Sequence, residues 1–214
     1  MIGAFGAFSS PEETTPPQTL YLHGHISARF FKLSTPGNKT PHHWEEDGFP
    51  GLPVCVCATH TDGVILALSP FNHSVNYRSA VVHGYASLVT DPDEKEYALH
   101  LITDSVIPDR WANTRFPLTE AEMNATGVVK VDVVSASAKV RAYTVSNDKA
   151  DLENEAVREK VWTGVIPAHL KYGEPVPAKE NEVDVVPSHV AKWVEETNRK
   201  EEAYSRDVAS LPKP

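Results

Sequence analysis

The feature that most constrains the fold of this sequence is a series of apolar stretches with the two-residue alternation of β-strands. The clearest of these stretches are 53–58, 64–69, 75–89 and 128–134. Helical patterns lie at the connections and do not alternate regularly with the strands. Such a chain is predicted to be mainly β, forming a β-barrel or rolled sheet with accessory helices.

Two glycines refine this prediction. The Asp62-Gly63 pair predicts a hairpin turn between two strands, because glycine tolerates a positive φ angle. Gly84 stands in the middle of a long strand, where it predicts a bulge or the close approach of another backbone. Shorter strands are predicted at 19–23, 138–144 and 161–166.

Capping residues mark where the helices begin. The sequence DPDE at 91–94 predicts a capped helix start, with Glu94 completing a capping box, and Pro108 ends that helix. The sequence TEAE at 119–122 predicts a second capping box. Further helices are predicted at 25–33, 148–159 and 188–206.

By composition the chain divides into three parts. Residues 1–18 are predicted to be irregular, 19–177 to form the domain, and 178–214 to be an extension carrying a polar helix. A loop is predicted at 34–52. The helix of the extension has a narrow apolar stripe that would dock on the domain or on a partner subunit: Val190, Trp193 and Val194.

Charge and hydropathy exclude two classes of partner. The net charge is −9 and no Lys/Arg cluster occurs, which disfavours nucleic-acid binding. No apolar run reaches the roughly 20 residues of a membrane span. The N-terminal MIGAFGAF lacks the basic region of a secretory signal. We therefore expect a soluble, cytoplasmic protein.

No metal site is expected from the cysteines or histidines. Cys55 and Cys57 share one face of a predicted strand and are interpreted as small core residues. His23 and His25 flank a glycine, and the pair at 42–43 with Glu45 lies in a loop. Neither group supplies the ligands of a catalytic zinc site.

An ordered set of segments resembles the pyridoxamine 5'-phosphate oxidase-like family, in its flavin-nucleotide-binding, nitroimidazole-resistance and fungal-type branch. The longest segment is HSVNYRSAVVHGYASLVTDPDEKEYALHLI at 73–102. The others occur in the order expected for that family: YLHGHISAR (21–29), VIPDRWANTRFP (106–117), SAKVR (137–141) and VWTGVIP (161–167). Met1 falls where the first strands of that family end, so we expect part of the barrel and some flavin contacts to be lacking.

The resemblance implies an FMN-binding split barrel of six strands, which is a homodimer with FMN in a groove between subunits. It implies that the flavin phosphate is held by Ser27 and Arg29, with Lys32 as a possible addition. A phosphate favours such a guanidinium and hydroxyl, although Arg29 is alternatively a solvated helix residue.

A second set of cofactor contacts is implied on the long strand, at Asn76, Tyr77, Arg78 and Ser79. Arg78 lies in an apolar run, where it needs a ligand or a counter-charge. A structural ion pair is therefore an equal alternative for this residue.

Five further residues are candidates for cofactor binding. Trp111 and Arg115 follow the long helix and could cover the flavin ring of either subunit, or Trp111 could simply fill the core. Lys139 and Arg141 share a strand face and would meet phosphate or solvent. Trp162, beside Gly164, could stack near the isoalloxazine or pack in the core.

These features predict an FMN-dependent oxidoreductase acting on a small-molecule substrate, with no catalytic residue assigned. The alternative is a non-catalytic module on the same fold, which binds flavin or haem or contacts another protein. A pyridoxamine phosphate oxidase proper is disfavoured, because PAHLKYGEPVPA lacks the Arg-rich substrate-phosphate motif of that enzyme.

Overall fold

The protein is a mainly β structure, as the sequence predicts. The computed structural model describes residues 1–9, 19–35, 48 and 50–214. Six strands of this part form one sheet in the order β1-β2-β5-β4-β3-β6, and the β1–β2, β2–β5 and β3–β6 pairs are antiparallel. The strands are β1 (Ile2–Gly6), β2 (Thr19–His25), β3 (Leu52–Leu66), β4 (Ser74–Leu88), β5 (Thr126–Arg141) and β6 (Gly164–Pro167).

Helices lie at the connections and at the C-terminal end. They are α1 (Arg29–Leu33), α2 (Pro92–Val106), α3 (Glu120–Ala125), α4 (Lys149–Glu153), α5 (Glu155–Arg158) and α6 (Ser188–Ser210). Short 3₁₀ turns occur at Pro70–Asn72 and Trp111–Asn113. Among the helices of the described residues, none combines the length and the apolar character that crossing a membrane requires.

Two of the strands are longer than the sequence predicts. The hairpin at Asp62-Gly63 is wrong, because β3 runs through both residues and Gly63 pairs with Pro167 of β6. Asp62 uses its carboxylate to bind Arg78 instead of forming a turn. The separate strands predicted at 128–134 and 138–144 are likewise one strand, β5.

The ends of several elements also differ from the prediction. A strand, β1, occupies part of the segment predicted to be irregular. The strand predicted at 19–23 continues to His25, so helix α1 begins only at Arg29. The helix predicted at 148–159 is divided at Asn154, whose side chain caps α5. Most of the loop predicted at 34–52 lies outside the described residues.

The two predicted helix caps have different outcomes. Asp91 caps α2 by accepting a hydrogen bond from the backbone N–H of Asp93, at 2.9 Å. The capping box predicted for α2 is wrong, because the Glu94 carboxylate accepts hydrogen bonds from the Tyr21 hydroxyl and from Lys130. The capping box of α3 is confirmed, with Thr119 and Glu122 each bonded to the backbone N–H of the other.

The chain forms two compact units, and the first consists of Met1–Val56 with Val82–Ala136. Its core uses both faces of β2. Leu20 and Leu22 pack in one apolar cluster with Phe31, whereas Tyr21 packs in another with Ile102 of α2. Because both faces are buried, β2 reads as a nearly continuous apolar run instead of an alternating one. Burial and the bond to Glu94 raise the pKa of Tyr21 above its usual range.

The second unit consists of Cys57–Val81 with Ser137–Pro214. Helix α6 packs against β6, and Ser205 and Val208 are its buried residues. The helix begins where predicted but continues to Ser210, so its apolar stripe reaches beyond the three residues identified from sequence.

The close approach predicted at Gly84 is confirmed. A Cβ at this position would lie 2.2 Å from the backbone oxygen of Asp132 on β5. We predict that Gly84→Ala lowers the free energy of unfolding by roughly 1–3 kcal/mol, because the backbone must shift to accept a methyl group.

Urea denaturation of the two proteins measures this loss. Gly173→Ala is the matched control, because a Cβ at Gly173 would meet no atom within 4 Å. Equal unfolding free energies for Gly84→Ala and the wild type would contradict the close approach.

Candidate functional site

Strand β4 presents its predicted cofactor residues on opposite faces. Successive side chains of a strand alternate, so Asn76 and Arg78 share one face and Tyr77 and Ser79 share the other. Asn76 is fully buried, whereas the other three are partly buried. The two faces have different partners and therefore different roles.

The guanidinium of Arg78 lies in an ion-pair network. Its Nε donates to both carboxylate oxygens of Asp62, at 3.2 and 3.1 Å, and its Nη2 donates to Asp62 Oδ1 at 2.8 Å. Nη2 also donates to Glu201 of α6 at 2.7 Å, and the Tyr204 ring lies 4.2 Å from the guanidinium carbon. The hydrogen bonds to Asp62 raise the pKa of Arg78 above its usual range. Arg78 thus makes the ion pair that was its alternative role.

Asn76 and Arg141, both predicted cofactor residues, are in contact. Arg141 Nη1 donates to Asn76 Oδ1 at 3.0 Å, and the backbone N–H of Tyr143 donates to the same oxygen at 3.3 Å. The Arg141 guanidinium also lies 4.0 Å from the centre of the Tyr143 ring. The buried Nδ2 of Asn76 donates to none of the described residues. An unmet buried donor costs about 1–3 kcal/mol, so an acceptor from water or a ligand would be favourable here.

The other face of β4 carries a group that we call the β4 polar surface: Thr59, Tyr77, Ser79 and Lys139. The Ser79 and Thr59 hydroxyls are hydrogen-bonded at 2.9 Å. The ammonium of Lys139 lies 5.8 Å from the centre of the Tyr77 ring. Thr59 and Lys139 are exposed. This surface therefore combines hydroxyl donors, an aromatic ring and a cation that can neutralise an anionic ligand.

Trp162 is exposed to 66 % of its surface, so it is not a core residue. A Cβ at Gly164 would lie 2.5 Å from the indole, which shows that the indole lies against this glycine. The close approach that Gly164 permits is thus made by Trp162 itself. An exposed indole held in this way can present a flat apolar surface to a ligand.

The predicted phosphate-binding turn lies in the first unit. Ser27 is hydrogen-bonded to His25, with 2.7 Å between Ser27 Oγ and His25 Nδ1. Arg29 begins helix α1 and is exposed. Lys32 is also exposed. The guanidinium of Arg29 therefore remains available to an anion.

Trp111 and Arg115 are bonded within their own segment of the first unit. The Trp111 ring is stacked on His100, with 5.2 Å between ring centres, and its backbone N–H donates to Asp104 at 2.7 Å. Arg115 donates to the Pro117 carbonyl oxygen at 2.7 Å and to the Glu122 carboxylate. The Arg115 hydrogen bond, followed by those from Thr119, lowers the pKa of Glu122 to about 2.

The described residues contain no group of three His, Cys, Asp or Glu side chains arranged to hold a metal ion. The predicted pair at 42–43 and Glu45 lie outside the described residues. Cys55 and Cys57 are exposed, so their interpretation as core residues is wrong. The two-residue alternation of a strand places both cysteines on one face of β3, but whether that face is buried depends on tertiary packing.

Several residues of these clusters were missed from the sequence. Asp62 was interpreted as a turn residue, and nothing local distinguishes the two roles. Glu201 and Tyr204 had a detectable signal, because their spacing continues the inward stripe of α6 to the buried Val208. Thr59 had no such signal in the sequence, since threonine is common on strands.

The comparisons with known proteins concern the family and the fold. The family model described as pyridoxamine 5'-phosphate oxidase matches residues 17–140. The structure of the flavocytochrome Anf3 from Azotobacter vinelandii aligns with a TM-score of 0.66 and 29 % identity, covering 83 % of this chain and 74 % of that one. The FAD and heme binding protein from Mycobacterium smegmatis aligns with a TM-score of 0.62 and 26 % identity, covering 83 % and 78 %. No curated protein sequence gives a significant match.

The six-stranded sheet, with helices at its connections, is that of a split-barrel protein. The chain belongs to the pyridoxamine 5'-phosphate oxidase family.

The pKa of Glu122 gives a direct test of the Arg115 contact. We predict that Arg115→Met moves this pKa from about 2 upward toward its usual 4.5, while the Thr119 hydrogen bonds hold it somewhat below that value. Because the pKa is lower in the folded protein than in the unfolded chain, the pair stabilises the fold above the unfolded pKa. That contribution is lost as the pH falls toward 2.

An NMR titration of the Glu122 carboxyl carbon measures both values. Arg158→Met, which removes an exposed arginine of α5, should leave the titration of Glu122 unchanged. If Arg115→Met also leaves it unchanged, Arg115 does not hold this carboxylate.

Proposed function

We propose that this protein binds FMN on the β4 polar surface and acts as an FMN-dependent oxidoreductase on a small-molecule acceptor. The observation that carries the proposal is the combination of the Ser79–Thr59 hydroxyl pair with the Tyr77 ring and the exposed Lys139. The family and two flavin-binding structural neighbours support the flavin class of ligand.

The donor set fits the three parts of the cofactor. Lys139 suits the phosphate, the hydroxyls of Ser79 and Thr59 suit the ribityl chain, and the rings of Tyr77 and Trp162 suit the isoalloxazine. A bound flavin would supply the hydride or electron transfer. The residues of the chain would orient it and stabilise its negative charge.

A second candidate for the phosphate is Arg29, the exposed guanidinium beside Ser27. A planar guanidinium binds phosphate with two hydrogen bonds, whereas an ammonium acts as a point charge. Substituting Arg29 and Lys139 separately therefore shows which of the two residues binds the phosphate. Titration with FAD in place of FMN tests the size of the site.

A homodimer is part of the proposal, because β5 is exposed along residues 132–140 although it lies between β2 and β4 in the sheet. On β3, residues 57–61 are exposed as well. Consecutive strand residues point to opposite faces, so both faces of these stretches are exposed to solvent. A second copy of the chain would cover them and would give FMN a groove between subunits.

A haem-binding protein is the second candidate function. It is favoured by the two structural neighbours, one of which is a flavocytochrome and the other an FAD and heme binding protein. An absorbance spectrum of the freshly purified protein separates the candidates, because flavin and haem have distinct bands. A Soret band without flavin bands would favour haem, and a spectrum with neither would contradict both.

For FMN, we predict that Lys139→Ala weakens binding by about 10- to 100-fold, the loss expected when a hydrogen bond to a charged group is removed. Arg29→Ala should also weaken FMN if it holds the phosphate. Fluorescence quenching of the flavin measures the dissociation constants. Lys192→Ala, which removes an exposed lysine of α6 paired with Glu196, is the control.

Riboflavin makes this experiment specific, since it lacks the phosphate. The loss caused by Lys139→Ala should be large with FMN and small with riboflavin. Equal losses with both ligands would show that Lys139 does not bind the phosphate. Undiminished FMN affinity in both variants would refute the proposed phosphate site.

For the dimer, we predict that Val134→Glu converts the protein to a monomer, because Val134 is 67 % exposed in the single chain and the dimer would bury the new carboxylate. Sedimentation velocity measures the oligomeric state. Leu152→Glu on α4, where Leu152 is 50 % exposed, controls for the same change elsewhere. A monomeric wild type would refute the dimer.

A further inference from the structure

Residues 173–187, which we call the C-terminal arm, form an exposed segment between β6 and α6. Every residue of the arm is exposed. Four of them are valines, with exposed fractions of 89 % for Val176, 61 % for Val183, 75 % for Val185 and 40 % for Val186. Scattered exposed apolar residues are ordinary, but a concentration of them in one segment marks an interaction surface.

The arm is not a free tail, because both of its ends are held. At its start, the backbone N–H of Tyr172 donates to Asn198 Oδ1 at 2.7 Å, and Asn198 Nδ2 donates to the Tyr172 carbonyl oxygen at 2.8 Å. The Tyr172 and Trp193 rings lie 4.6 Å apart. At its end, Ser188 begins α6.

The far part of α6 is in turn held within the second unit. Glu201 accepts from Arg78, Val208 is buried, and the Leu211 carbonyl oxygen accepts from the Thr144 backbone N–H at 2.8 Å. With both ends fixed, ordering the arm on a partner costs less conformational entropy than ordering a free tail of the same length. An arm that is fixed at both ends is therefore preorganised for binding.

We propose that the C-terminal arm packs, through its valines, on a second copy of this chain. The inference rests on the proposed dimer and adds a part of the interface to it. The exposed stretches 57–61 and 132–140 supply five and nine residues, fewer than the roughly 20–30 per partner of a stable interface. The fifteen residues of the arm bring the total into that range.

The charge of the arm disfavours other classes of partner. It carries one lysine, Lys179, and four carboxylates at Glu174, Glu180, Glu182 and Asp184. A nucleic acid or an anionic membrane surface would be repelled by this excess of negative charge. A second copy of the chain offers the exposed apolar strand residues that the valines need.

A double variant tests the contact. Val183→Asp with Val185→Asp should weaken dimerisation by at least about tenfold, because two carboxylates would be buried without partners. Sedimentation velocity over a concentration series measures the dimer dissociation constant. Glu180→Gln with Glu182→Gln, which changes the arm but keeps its valines, should leave the dimer intact, and circular dichroism verifies the fold of each variant.

A cross-linking experiment tests the contact without any substitution. An amine-reactive cross-linker is applied to a mixture of unlabelled and ¹⁵N-labelled protein, and peptides joined through Lys179 are identified by mass spectrometry. Cross-linked pairs containing one light and one heavy peptide are expected, since these arise only between copies.

The outcomes separate this inference from the proposed function. A monomeric wild type overturns both the dimer and the arm contact. A dimeric wild type with unchanged dissociation constant in the valine variant, or with Lys179 cross-links confined to one chain, overturns the arm contact alone. In that case the arm would be free for a different protein partner.

Discussion

The buried carboxylate of Asp62 is the constraint on which the second unit depends. A carboxylate with 3 % exposure must be paired, because an isolated buried charge is strongly unfavourable. Arg78 supplies the charge, and its Nη2 donates to both Asp62 and Glu201, so a pair between two strands also binds the C-terminal helix. At the next residue, Gly63, β3 pairs with Pro167 of β6.

This ion-pair network also distinguishes the structural residues of β4 from those that we propose bind flavin. Arg78 and Asn76 point to the face where their polar groups bond to other parts of the chain. Tyr77 and Ser79 point to the opposite face, where Lys139 adds a positive charge. One strand therefore holds a helix with one set of side chains, and the other set forms the polar surface on which we propose that flavin binds.

The proposed dimer would account for both the exposed strand residues and the exposed C-terminal arm. Residues 132–140 of the central strand β5 and the valine-rich C-terminal arm both leave apolar surface in water, which is unfavourable for an isolated chain. Association of two copies would remove that surface. In a dimer the helix that Arg78 fastens would also position the arm, so the ion-pair network would contribute to assembly as well as to folding.

The sequence by itself determined the fold class, the Thr119–Glu122 capping box and the close approach at Gly84, because these follow from local periodicity, side-chain reach and the lack of a Cβ. It also singled out Asn76 and Arg141, which the structure brings together. Only the tertiary structure decided that Asp62 pairs across strands instead of turning the chain. Partners distant in sequence decide such roles, and local patterns carry no information about them.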